Sequence, residues 1–135
     1  MTRLAVLDAS AVGDFLLDAE QHPSVEEVLR APETTVVVPH LCDVEVASWI
    51  RSLIARRLMT SARADDAIAH YSALTLQRVE HVPLLTRILS LRDNFSAYDA
   101  TYVALAESLG APLYTADHRL ARAVREHTDV DVVEV

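Results

Sequence analysis

Short apolar stretches that alternate with longer helical patterns constrain the fold of this chain more than any other feature. Residues 4–7 are apolar throughout and end at Asp8, and residues 34–38 are β-branched at every position and stop at Pro39. Such uninterrupted apolar strands are typical of parallel sheets whose two faces are both buried. Strands that alternate with helices therefore predict an α/β fold with a central parallel sheet.

Weaker patterns complete this arrangement. Further strands are predicted at residues 77–82, 112–115 and 130–133. Helices are predicted at residues 11–17, 24–30, 40–58, 61–74, 84–92, 97–109 and 117–126. With helices on both faces of a parallel sheet of four to five strands, the expected fold is a three-layer α/β/α sandwich. A chain of 135 residues is expected to form one domain, spanning residues 1–135.

The charge balance excludes several classes of function. Twenty Asp and Glu residues face twelve arginines, the chain has no lysine, and the net charge is −8. A uniformly basic nucleic-acid surface is excluded, although a local arginine cluster is not. Mechanisms that need a lysine, including the Walker phosphate-binding loop and Schiff-base chemistry, are excluded as well.

Cysteine usage and hydropathy indicate the compartment. Cys42 is the only cysteine, so the chain can form neither an internal disulfide nor a thiolate zinc site. No apolar run approaches the ~20 residues that are needed to cross a bilayer. We expect a cytoplasmic protein that does not associate with membranes.

Acidic residues fall where a parallel sheet brings its loops together. Asp8 closes the first predicted strand, and Asp117 lies just past the fourth. Ligands of open α/β sheets bind beyond the carboxyl ends of the strands, where the strand order reverses. Asp99 lies in the first turn of the helix that leads to the fourth strand, and a right-handed crossover starts that helix at the same edge. These three carboxylates are expected to converge if the first and fourth strands are neighbours.

Glu45 is the fourth candidate. It lies about five residues into the helix that follows the second strand, roughly 8 Å along the helix axis. Its stripe on the helix contains Leu41, Val44, Ser48 and Trp49, which predicts that the carboxylate points inward. A buried carboxylate needs a partner, so we expect Glu45 to join the other three acids.

Four carboxylates without a lysine repel one another unless a cation lies among them. Oxygen ligands favour Mg²⁺ or Mn²⁺ over zinc, and such a cation can activate water and stabilise the leaving oxygen in phosphodiester cleavage. The hydroxyl of Ser10 is expected to orient Asp8 or a bound water. The hydroxyl of Thr115 is expected to do the same for Asp117.

Each acid also has a purely structural interpretation. Ser96 and Asp99 resemble a helix-capping box, and Asp117 could cap the last helix. Asp8 could be a turn residue, and Glu45 could belong to a structural ion pair. The joint spacing of the four acids favours the shared site.

Four segments together resemble a known family. They are VLDAS at residues 6–10, PHLCDVEVAS at 39–48, SAYDATYVALAE at 96–107 and LYTADHRL at 113–120. On these motifs the chain resembles the PIN domain from residue 6 to about residue 121. In particular, it is similar to the VapC-type toxins of type II toxin–antitoxin pairs.

This resemblance implies a PIN-like fold and a Mg²⁺- or Mn²⁺-dependent endoribonuclease that acts as a toxin, forms a homodimer and is neutralised by a small VapB-type antitoxin. The family's four acids fall on Asp8, Glu45, Asp99 and Asp117, which are therefore the expected catalytic and metal-binding residues. The hydroxyls of Ser10 and Thr115 fit the same pattern. The implied reaction is the attack of metal-activated water on an RNA phosphodiester, which leaves a 5′-phosphate and a 3′-hydroxyl.

A chain with a net charge of −8 must attract RNA locally. Our candidates for this contact are arginines of the third and fourth helices: Arg51, Arg56, Arg57 and Arg63. A homodimer needs an apolar contact surface, for which the candidates are residues of the third helix: Trp49, Ile50, Leu53 and Ile54. Alternatively, the fourth helix of the same subunit covers these side chains.

Two other classes of function remain open. A phosphoryl-transfer domain of receiver or haloacid-dehalogenase type also gathers acids and Mg²⁺ at the end of a parallel sheet. Both families use a lysine, which this chain lacks, and the dehalogenase pattern needs an Asp where Ser10 stands. The second class is a non-catalytic acidic module that binds a basic partner. RNA cleavage that EDTA abolishes distinguishes a nuclease from such a module.

Overall fold

The computed structural model describes all 135 residues and contains seven α-helices and a five-stranded sheet. The strands are β1 (Arg3–Leu7), β2 (Thr34–Pro39), β3 (Gln77–Val79), β4 (Leu113–Thr115) and β5 (Val132–Glu134). The helices are α1 (Ala9–Leu17), α2 (Pro23–Arg30), α3 (Leu41–Ala55), α4 (Ser61–Ala73), α5 (Leu85–Ser90), α6 (Ala97–Leu109) and α7 (His118–His127). Short 3₁₀ turns at Ala19–Gln21 and Val82–Leu84 complete the elements.

All strand pairs are parallel, and the strand order is β3-β2-β1-β4-β5. The chain moves outward from β1 through β2 to β3, then returns through α5 and α6 to place β4 on the other side of β1. Val6 therefore lies between Val37 of β2 and Leu113 of β4. The strand order reverses between β1 and β4, which is where an open α/β sheet offers its ligand crevice.

The core explains why the central strands are apolar throughout. Val6, Leu7 and Leu113 are fully buried because helices cover both faces of the sheet. On one side α1 packs against α2, α3 and α4, and on the other α6 packs against α5 and against β1, β2 and β4. Seven consecutive residues of α6, 100–106, are buried. The three-layer α/β/α sandwich with a parallel sheet is therefore confirmed.

Two elements end three residues before the predicted position. The third strand stops at Val79 instead of residue 82, because Val82–Leu84 forms a 3₁₀ turn around Pro83. Helix α3 stops at Ala55 instead of residue 58. Arg57 has a φ of 58°, in the left-handed region, which ends the helix. None of the helices is long and apolar enough to cross a membrane.

Helix α3 uses much of its apolar surface inside the subunit. Ile50 is buried, and the ring of Trp49 lies over Gly13 of α1. A Cβ atom at position 13 would stand 2.8 Å from Cζ3 of Trp49, so only glycine allows this approach without a shift. Of the apolar residues that were candidates for a dimer contact, Ile54 remains exposed.

Gly110 allows a stability prediction. It follows α6 with φ +60° and ψ 32°, and its backbone N–H and that of Ala111 satisfy carbonyls of the last turn. Nothing lies within 4 Å of an added Cβ, so a substitution here meets only backbone strain. We expect Gly110→Ala to lower the free energy of unfolding by about 1–2 kcal/mol in urea titrations. Gly110→Asn should lose clearly less, because asparagine tolerates this conformation, and equal losses would contradict the backbone explanation.

Candidate active site

The carboxylate of Asp8 is held from three directions at the carboxyl end of β1. Its Oδ1 accepts hydrogen bonds from Ser10 Oγ at 2.7 Å and from the backbone N–H of Ala11 at 2.9 Å. Its Oδ2 accepts one from Thr115 Oγ1 at 2.5 Å. The side chain is the N-cap of α1 and is 5% exposed. Burial raises the pKa of Asp8 although these hydrogen bonds lower it, and the nearby Asp117 raises it further.

Two hydroxyl groups connect Asp8 to the loop after β4. Ser10 Oγ accepts from the backbone N–H of Ala116 at 3.0 Å, and Thr115 Oγ1 accepts from that of Asp117 at 3.0 Å. The two hydroxyl oxygens lie 3.2 Å from each other. Thr115 thus holds Asp117 through the backbone N–H of Asp117, and the proton of Thr115 goes to the carboxylate of Asp8.

Asp117 follows β4 and begins α7. Its Oδ1 accepts hydrogen bonds from the backbone N–H groups of Arg119 at 2.9 Å and Leu120 at 3.2 Å, so the carboxylate caps the helix. The interpretation of Asp117 as the cap of the last helix is thus correct for Oδ1. No hydrogen bond occupies Oδ2, which leaves one oxygen for a ligand.

Asp99 lies in the first turn of α6. Ser96 caps this helix by accepting a hydrogen bond from the backbone N–H of Asp99 at 3.1 Å. No return bond joins the carboxylate of Asp99 to the backbone of Ser96, so the capping box is only half formed. Burial raises the pKa of Asp99, and the charges of Asp117 and Asp8 add to this effect. The carboxylate therefore faces the other acids.

Glu45 approaches the same site from α3. The hydroxyl of Tyr102 donates to its Oε1 at 2.6 Å. Burial raises the pKa of Glu45, and the charges of Asp99 and Asp8 raise it further, whereas the hydrogen bond of Tyr102 lowers it. The pKa values of Asp8, Glu45 and Asp99 are therefore each raised in part by the charge of a neighbouring acid.

The predicted stripe around Glu45 was wrong in part. Val44 is 68% exposed and Ser48 is exposed as well. The buried face of α3 is formed by Cys42, Val46 and Ile50. Glu45 lies beside this face, three residues after Cys42, which is why its carboxylate is half-buried.

The donor set fits Mg²⁺ or Mn²⁺. No three acidic, histidine or cysteine side chains stand close enough together to form a complete set of ligands. Mg²⁺ needs no such cage, because it keeps several waters and is usually bound by one or two carboxylates together with substrate phosphates. Buried carboxylates that raise one another's pKa are suited to a cation that relieves their repulsion.

The arginines proposed for RNA contact form no ion pair with these acids. Arg56 follows Glu45 by eleven residues, just past the end of α3 and about 16 Å along the helix axis. Arg51, Arg56 and Arg57 are exposed. Arg63 donates from Nη2 to the carbonyl of Leu16 at 2.8 Å, which joins α4 to the end of α1.

Two residues near the acids were missed from the sequence. Arg119 is exposed, forms no ion pair, and its charge lowers the pKa of Asp99. The sequence feature that could have indicated Arg119 is its position two residues after Asp117. Tyr102 binds Glu45, and its signal was a polar hydroxyl three residues after Asp99, on the same face of α6.

Known proteins are similar to this chain in sequence and in fold. The PIN domain family matches residues 5–126. The ribonuclease VapC9 of Mycobacterium tuberculosis is 38% identical over 130 residues, which cover 96% of this chain and 98% of VapC9.

Two solved structures are similar in fold alone. VapC20 of Mycobacterium tuberculosis, a toxin that cleaves the sarcin–ricin loop, has a TM-score of 0.62 at 16% identity and covers 88% of this chain and 94% of its own. The structure of VapBC2 from Rickettsia felis, bound to a DNA fragment from its promoter, contains a chain with a TM-score of 0.70 at 9% identity. The match covers 97% of this chain and 98% of the VapBC2 chain.

The parallel sheet with its acidic switch point, the family match over most of the chain and the identity to VapC9 along nearly its whole length agree. This chain belongs to the PIN domain family and groups with the VapC ribonucleases within it.

Proposed function

We propose that this protein is an endoribonuclease toxin of a toxin–antitoxin pair and that its activity needs Mg²⁺ or Mn²⁺. One observation supports the proposal: acids from separate elements lie at the switch point of the sheet, where burial raises the pKa of Asp8, Glu45 and Asp99 and the charges of neighbouring acids raise it further. The names of VapC9, a ribonuclease, and VapC20, a cleaving toxin, support the reaction class. The four acids are Asp8, Glu45, Asp99 and Asp117.

Each acid contributes differently to this proposed reaction. Asp8 is the most tightly held, so it supplies a fixed oxygen at the centre of the site. Asp117 keeps Oδ1 on the cap of α7 and offers Oδ2. Asp99 and Glu45 offer oxygens from the two flanking helices, α6 and α3. A bound divalent cation supplies activation of water and neutralises charge on the phosphodiester.

Arg119 is the arginine placed to hold the RNA backbone beside these acids. It is exposed and unpaired at the start of α7, and its charge reaches Asp99. A guanidinium can bind a phosphate through two hydrogen bonds, which offsets locally the repulsion from a chain of −8 net charge. The original candidates, Arg51, Arg56, Arg57 and Arg63, remain available only to a longer RNA.

The proposed partners are a small VapB-type antitoxin and a second copy of the chain. The VapBC2 structure from Rickettsia felis carries both names of such a pair, which supports an antitoxin. A homodimer would cover exposed apolar residues that the subunit leaves open, including Ile54 and Leu89.

The first test concerns the acids and the cation. Cleavage of a structured RNA should need Mg²⁺ or Mn²⁺, stop in EDTA, and fall by more than about 100-fold in Asp8→Asn, because a ligand counts for more than its supporting residues. Glu45→Gln, Asp99→Asn and Asp117→Asn should behave alike. Asp66→Asn, at an exposed position on α4, is the matched control and should retain full activity. Cleavage that persists in EDTA or in Asp8→Asn would contradict the proposal.

The second test concerns stability without metal. The raised pKa of Asp99 means that its ionised form destabilises the fold. The stability it contributes is present below the unfolded value of 3.8 and is lost as pH rises through the folded value. Urea unfolding in EDTA should therefore show Asp99→Asn more stable than wild type at pH 7, with the difference vanishing toward pH 3.8.

The helix dipole opposes the expected gain in stability of Asp99→Asn. An acid in the first turn of a helix is favoured by the helix dipole, by about 0.3–1 kcal/mol, and asparagine loses that attraction. If Asp99→Asn is less stable than wild type at pH 7, the dipole dominates and the repulsion among the acids is small. Asp66→Asn, at an exposed position on α4, is the control for replacing an acid by its amide.

The third test concerns the RNA contact. Arg119→Ala should raise KM several-fold, lower the salt dependence of KM and change kcat little, because a phosphate contact acts mainly on binding. Arg56→Ala, at another exposed arginine just past the end of α3, is the control for general charge. Equal effects of the two substitutions would show that only net charge matters.

A further inference from the structure

Two tyrosines bind two acids of α3 in the same way. Tyr102 of α6 donates to Glu45 Oε1 at 2.6 Å, and Tyr71 of α4 donates to Asp43 Oδ1 at 2.6 Å. Both tyrosine side chains are buried. The buried Cys42 is a neighbour of both tyrosines. The two pairs thus form matched contacts near one residue.

The two acids differ in everything else that binds them. The guanidinium of Arg78 donates from Nε to both oxygens of Asp43 at 2.9 Å, and Arg78 also lies over the ring of Tyr71. Asp43 is therefore fixed by a structural ion pair. Glu45 forms no ion pair, and the hydroxyl of Tyr102 is its only hydrogen-bond donor.

The position of Tyr102 makes it an effective clamp. Its side chain is 2% exposed and cannot move without disturbing the core. A glutamate side chain has three rotatable bonds, so without a fixed partner its carboxylate would visit several positions. Tyr102 holds one carboxylate oxygen and leaves the other, Oε2, without a hydrogen bond. Helix α6 therefore carries Asp99 and also Tyr102, which holds the carboxylate of Glu45.

We propose that Tyr102 is a positioning residue that holds the carboxylate of Glu45 toward Asp8 and Asp99, so that the site is prearranged for a divalent cation before RNA arrives. This inference rests on the proposed metal-dependent function. It assigns Tyr102 no contact with the substrate. Supporting residues of this kind typically change metal affinity 10–100-fold when their hydrogen bond is removed.

The experiment measures Mn²⁺ binding to the RNA-free protein by titration calorimetry. Tyr102→Phe keeps the ring and removes only the hydroxyl, and it should weaken Mn²⁺ binding by about tenfold or more. Tyr71→Phe removes the equivalent hydrogen bond to Asp43 and should leave Mn²⁺ affinity as in wild type. Since both variants lose one buried tyrosine–carboxylate contact, thermal melting of each reports any general loss of stability. A wild-type affinity in Tyr102→Phe, or equal weakening in both variants, would overturn the proposal.

A second experiment repeats the Tyr102→Phe substitution in a variant that lacks the Glu45 carboxylate. In Glu45→Gln protein, adding Tyr102→Phe should cause no further loss of Mn²⁺ affinity, because Tyr102 acts through the carboxylate that is already gone. A full tenfold loss in that background would show that Tyr102 acts in another way. Wild-type protein that binds no Mn²⁺ would overturn the proposed function itself, whereas normal wild-type binding with an unaffected Tyr102→Phe overturns only the role of Tyr102.

Discussion

The hydrogen bonds to the Asp8 carboxylate are the constraint on which the arrangement of the site depends. They join the start of α1, through Ser10 and Ala11, to the end of β4, through Thr115. These hydrogen bonds favour the ionised form of Asp8, yet burial disfavours it more strongly, so the pKa of Asp8 is still raised. A carboxylate whose ionised form is disfavoured in this way is typical of functional sites.

The acids of the site combine structural and chemical roles in different proportions. Asp8 and Asp117 each cap a helix, and their caps fix the direction in which the carboxylates point. Asp99 has no comparable duty, since Ser96 performs the capping of α6. Capping and ligation are therefore compatible at one residue, because a carboxylate has two oxygens and a cap needs only one. A helix-capping role and a metal-binding role are therefore not alternatives for Asp8 and Asp117.

Much of this arrangement was predictable because it follows from chain connectivity. Apolar strands indicated the parallel sheet, and the positions of Asp8, Asp99 and Asp117 relative to strand ends predicted their convergence. The sequence did not predict which face of α3 is buried, because this depends on the rotation of the helix about its axis. It also did not predict side-chain contacts between residues that are far apart in sequence. The face of α3 was misassigned because apolar residues such as Val44 occur on its solvent side. The hydrogen bond that Thr115 donates to Asp8 was not predicted, because these residues are 107 positions apart in sequence.

The close approach of Gly13 to the ring of Trp49 has a consequence for the spacing of the acids. Asp8 caps helix α1, and helix α3 carries Glu45, so the indole ring between these two helices helps to set how near they lie. A bulkier residue at position 13 would push the ring of Trp49 away from α1 unless position 49 held a smaller side chain. Packing in the layer beneath the acids therefore contributes to the distance between the elements that carry two of them.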